Sequence, residues 1–152
     1  MTRLRRALVA LVALSPMVLS ACGDSAPTAD EGYCAAWKTV NRSDAGAHGE
    51  DPAAVTDPDI MERTWAESVA VAEKLLANAP DGIVDDLTVV VDNLRAQDKV
   101  MADNGYDITA MAKDPEVRAR LDELTGDAAV AKAKANYVSF SDDACDTKYG
   151  SS

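Results

Sequence analysis

The sequence predicts an all-α protein, an antiparallel bundle of about four main helices plus a short helix, its ends joined by one disulfide. Three observations lead there. Beyond residue 30, apolar residues recur three and four apart, and strand-type alternation is scarce. Asp-Pro pairs and Gly-containing turns punctuate those runs where helices start and stop. Cys34 and Cys145 stand near the two ends of the helical region.

The opening segment belongs to a different class. Arg3, Arg5 and Arg6 precede an apolar run from Ala7 to Leu14, which pauses at Ser15-Pro16 and resumes at Met17-Val18-Leu19. A basic head, about a dozen apolar residues and a small-residue end are the layout of a secretory signal. The run is shorter than the roughly 20 apolar residues that span a bilayer, and Pro16 disfavours one continuous helix. At its end stands Leu19-Ser20-Ala21-Cys22, with Leu19, Ser20 and Ala21 leading into a thiol that can carry a thioether-linked lipid. Gly23 to Asp30 are small and polar, too poor in apolar surface to build a core. They extend at most about 26–29 Å. The expected organisation is a removed signal over 1–21, a lipidated tether over 22–30, a helical domain over 31–148 and a tail over 149–152.

Each helix has its own warrant. In "EGYCAAWKTVNR", Tyr33, Trp37 and Val40 fall on one face, predicting a helix from Glu31 to Arg42. "SDAGAHGEDPAAVTDPD" holds Gly46, Gly49, Pro52 and Pro58 and reads as a loop. Asp57 can cap a second helix with Pro58 in its first turn, and Met61, Trp65, Val69, Ala72 and Leu76 form its inward stripe. Pro80-Asp81-Gly82 is a turn. The third helix carries Val84, Leu87, Val91, Leu94 and Met101 at heptad spacing, with Asp98 intruding between Leu94 and Met101. Asn104-Gly105 ends it. Asp114-Pro115 starts the short helix of Val117, Leu121 and Leu124, which Gly126 stops. Asp127 caps the last helix, whose stripe is Val130, Ala133, Tyr137, Phe140 and Ala144. "DTKYGSS" follows as a polar tail.

Composition narrows the functional classes. Acidic residues number 26 against 15 basic, a net charge of −11, and loss of residues 1–21 would remove three arginines and no acid. Such a chain repels nucleic acid and anionic headgroups. In an exported chain the Cys34 and Cys145 thiols form an even pair in an oxidising compartment, and only one pairing exists. For a loop near 100 residues, chain entropy gives about 4.7 kcal/mol, less any native strain. His48, the sole histidine, lies in the loop, and the spacing of a zinc or calcium site is missing. No GxSxG, phosphate loop or dinucleotide fingerprint is present, and no nucleophile–base pair can be assembled, so neither an enzyme nor a cofactor is expected. Trp37, Trp65 and the seam acid Asp98 are the candidate lining of a ligand cleft between helices.

Leu19-Ser20-Ala21-Cys22 resembles the lipobox of bacterial lipoproteins. With "YCAAW", "APDGIVDDL" and "NYVSFSDDAC", the chain looks like the small helical lipoproteins of actinobacteria, whose function is unknown. The resemblance implies that Cys22 bears two acyl chains and often a third, enough for stable anchoring at the extracytoplasmic face of the cell membrane. The expected role is an interaction or binding module whose partner is an envelope protein or a small ligand. The alternative is a small-molecule or metal carrier.

Overall fold

In a computed structural model, the described residues are 28–44 and 56–150. Cys22, its lipobox residues Leu19, Ser20 and Ala21, and the loop histidine His48 lie outside them. The described chain is all-helical: α1 Glu31–Asp44, α2 Pro58–Ala77, α3 Val84–Asp103, α4 Ile108–Met111, α5 Pro115–Thr125 and α6 Ala128–Ala144.

Local chemistry sets these bounds. Asp57, Asp114 and Asp127 each accept two backbone N–H groups at the start of α2, α5 and α6. They satisfy donors that a helix start leaves without partners. Pro58 and Pro115 occupy first-turn positions where no N–H is needed. α5 stops at Gly126, where a Cβ would stand 2.9 Å from the Asp122 carbonyl oxygen. α3 starts differently: Ile83 precedes it without a side-chain cap and is buried in the core.

α1, α2, α3 and α6 form a ring in which α1 packs on α2 and α6, and α3 packs on α2 and α6. Neighbours run antiparallel. Tyr33 at the start of α1 meets Ser141 near the end of α6, and Asp86 at the start of α3 accepts from Asn136 in the middle of α6. α4 and α5 are an excursion between α3 and α6, with α5 lying on α3. The four-residue α4 is an addition to the expected elements; one turn is too short to show a helical period.

While Val91, Met101, Met111 and Ala133 are buried outside it, an aromatic-rich core cluster gathers at one end of the ring. Tyr33, Ala36, Trp37, Leu75, Ile83, Leu87, Tyr137 and Cys145 pack there, and Tyr33 and Trp37 are wholly buried. The Cys34–Cys145 disulfide, with a Cα–Cα distance of 5.3 Å, bolts α1 to the end of α6 beside this cluster. Tyr33 stands edge-on to Phe140, and Trp37 edge-on to Tyr137. Buried Ser141 donates to the Tyr137 carbonyl, which leaves the Tyr33 hydroxyl to donate to Ser141 Oγ at 2.6 Å.

The segment after Cys145 departs from the expected polar tail, because it is docked as far as Gly150. Tyr149 stacks on Trp37 with ring centroids 5.7 Å apart, and Trp37 Nε1 donates to Thr147 Oγ1 at 2.8 Å. Asn41, buried at the far side of α1, donates to the Lys148 carbonyl and accepts from the Gly150 N–H. Asp142 on α6 accepts from Thr147 and from the Tyr149 N–H. An aromatic face and buried amide on α1 supply what a polar stretch cannot supply for itself.

Candidate functional site

Away from the disulfide, the ring is incompletely filled. α2 presents Thr64, Ser68 and Ala72, a row of small side chains one turn apart, where bulky residues would close the space. The result is a cleft of about 620 Å³ bordered by all four ring helices and the end of α5. That size lies inside the roughly 300–1,000 Å³ range of small-molecule sites.

The walls are mainly apolar. Trp65, Val71 and Ala72 come from α2, Val90 and Leu94 from α3, Val130 and Tyr137 from α6, with Val40 and Leu124 at the margins. Polar groups are fewer: besides the hydroxyls of Thr64, Ser68, Thr125 and Tyr137, two amides and one charge stand in the lining. Asn93 and Gln97 sit one turn apart on α3. Asn93 Nδ2 donates to the Leu124 carbonyl, fixing the end of α5, and Asn93 Oδ1 accepts from Gln97 Nε2 at 2.6 Å. Asn93 is therefore committed at both ends of its amide, whereas Gln97 Oε1 has no protein partner among the described residues. Lys134, on the exposed rim of α6, is the one charged side chain among the described lining residues, and its Nζ lies 5.4 Å from the Tyr149 ring centroid. No carboxylate lines the cleft among the described residues.

The three residues expected at a cleft are separated by the fold. Trp65 is half-buried and forms part of the wall. Trp37 is wholly buried under Tyr149 and belongs to the core. Asp98 is half-buried and accepts from the Tyr106 hydroxyl at 3.1 Å. That bond accounts for an acid in the seam of α3. Gly105 and Tyr106 both take positive φ, at 61° and 55°, to end the helix. The φ is uncommon for a bulky residue, and Asp98 anchors the ring that this turn throws back. Burial and the Asp98 carboxylate push the Tyr106 phenol pKa above its ordinary value. Sequence patterning does not single out Asn93, Gln97, Lys134 or the small-residue row of Thr64 and Ser68, which ends at the inward Ala72. Only that row leaves a readable signal, small residues four apart on an inward face.

Among the described residues, no three His, Cys, Asp or Glu side chains gather as a metal site, and no helix is long and apolar enough to cross a membrane. Comparison of the chain with protein families, curated proteins and solved structures yields no match.

Proposed function

We propose that this protein is a lipid-anchored lipoprotein of the extracytoplasmic membrane face, and that its helical domain is a non-enzymatic binding module that receives a small molecule. The observation that carries the binding role is the mostly apolar cleft of about 620 Å³ between the ring helices. The anchor rests on the basic, apolar and small-residue layout that ends at Cys22. Of the two roles expected from the sequence, partner recognition and small-molecule carriage, the cleft favours carriage. Val89, on α3, is the one large apolar side chain among the described residues that stands clearly exposed, and scattered single residues of that kind do not make a protein-docking patch.

The two halves of the proposal have separate tests. Cys22→Ala is expected to move the protein from the membrane fraction to the soluble one; unchanged membrane retention overturns the anchor. Native mass spectrometry of the protein extracted from its own membrane is expected to show a defined mass beyond the lipidated, disulfide-bonded chain. A bare lipoprotein mass throughout, with no ligand taken up from a small-molecule panel, overturns the carrier role.

A further inference from the structure

The cleft's lining says more than that something fits. We infer that its ligand is a single-chain amphiphile with an anionic head, such as a fatty-acid-like carboxylate, its chain lying along the apolar wall and its head at Lys134. This rests on the binding role proposed above and names the ligand class.

Charge is the first ground. The chain carries 26 acids against 15 bases, yet no carboxylate faces the cleft among the described residues, and the one charge there is a lysine. Lys134 makes no ion pair among the described residues; its Nζ lies over the face of Tyr149. Lys134 is a local exception to the chain's overall negative charge: a carboxylate at the rim meets an ammonium with no competing acid among the described lining residues, whereas a cationic head meets a like charge there. A lone lysine acts as a point charge and suits a singly charged head.

Size is the second ground. A cleft of about 620 Å³ lies inside the roughly 300–1,000 Å³ range of small-molecule sites, room for one medium-length chain. Shape is the third. Val90, Leu94, Trp65 and Val71 form a wall without charge, and Gln97 Oε1 is the one amide acceptor there without a protein partner among the described residues.

The test uses the full disulfide-bonded chain and three twelve-carbon probes below their micelle concentrations: dodecanoate, dodecanol and dodecyltrimethylammonium. Binding is read by titration calorimetry and, in the parent chain, by the change in tryptophan emission. Dodecanoate is expected to bind at least tenfold more tightly than dodecanol, with the ammonium weakest. Lys134→Gln is expected to erase the preference for dodecanoate, and Lys134→Arg to keep it. Ala131 lies on the exposed rim of the cleft, so Ala131→Trp tests the place without touching the core and is expected to weaken all three probes. Equal binding of the three probes overturns the anionic ligand class and leaves the binding role standing. Binding unchanged in Ala131→Trp overturns the site. No binding of any probe, with tryptophan emission unmoved, overturns the ligand class, while the carrier role stands or falls on the mass-spectrometric test.

Discussion

Asn41 and Tyr33 show how much single side chains decide. Asn41 holds the docked segment by two backbone hydrogen bonds, from its Nδ2 to the Lys148 carbonyl and from the Gly150 N–H to its Oδ1. Removing a partner from buried groups costs about 1–3 kcal/mol each. Asn41→Ala is therefore expected to free residues 147–150, seen as faster amide exchange there and a redder Trp37 emission as Tyr149 leaves. Unchanged exchange would show that Tyr149 stacking alone suffices. Tyr33 makes a pH prediction. Burial pushes its phenol pKa up from 10.0. The unfolded chain then gives up this proton first, so the native state holds more protons above about pH 10. Tyr33 thus contributes stability that is present below pH 10 and lost as pH rises through its raised folded pKa. Stability of the native protein should fall over that range, by at most about 1.4 kcal/mol per pH unit from this group. Tyr33→Phe should flatten the slope, and an identical slope in both proteins would exclude Tyr33 as the source.

Elements are specified mostly at their starts. The Asp57, Asp114 and Asp127 caps were legible because an acid followed by Pro or by a helical stripe satisfies orphan N–H groups by local geometry alone. Asp127→Ala should lower the stability of the domain by about 1 kcal/mol, and Asp127→Asn by much less. The midpoint of urea unfolding measures this, with an unchanged slope marking a change in stability rather than in compactness. One element and one residue are not legible in the sequence, for physical reasons. α4 is one turn, Ile108–Met111, held by the Asp107 cap and by the buried Met111 side chain. The seam acid Asp98 left its stripe ambiguous because its partner, Tyr106, lies in a turn whose positive φ no periodicity encodes. The stripe of α2 predicts Met61, Trp65, Val69, Ala72 and Leu76 inward; all five are half-buried, and Leu75 is the residue driven into the core. A face turned toward an unfilled space is covered less than a face turned toward neighbours.

The whole molecule is asymmetric along the bundle, with the disulfide and aromatic core at one end and the cleft toward the other. The disulfide restrains a loop that runs through every helix of the ring. Reducing it, or replacing both cysteines by alanine, should lower stability by about 2–4 kcal/mol in denaturant unfolding. Because the bond lies at the core end, it should leave the cleft's shape unchanged while the protein stays folded. A cleft ligand should in turn raise the unfolding midpoint in proportion to the logarithm of its concentration, and the shift should persist in the reduced protein.

Sequence by itself determined the helical class, the order and approximate bounds of five of the six helices, and the pairing of Cys34 with Cys145. Each follows from chemistry local to a few residues: period, caps, turn residues and a two-cysteine choice. Tertiary structure alone decided that Trp37 is core while Trp65 is wall, that the last residues through Gly150 dock on α1, and that Lys134 stands over a cleft free of acids among its described residues. A helical stripe fixes which side of a helix turns inward. Whether the space it meets is filled depends on the lengths and side-chain volumes of the other three helices, which no single segment contains.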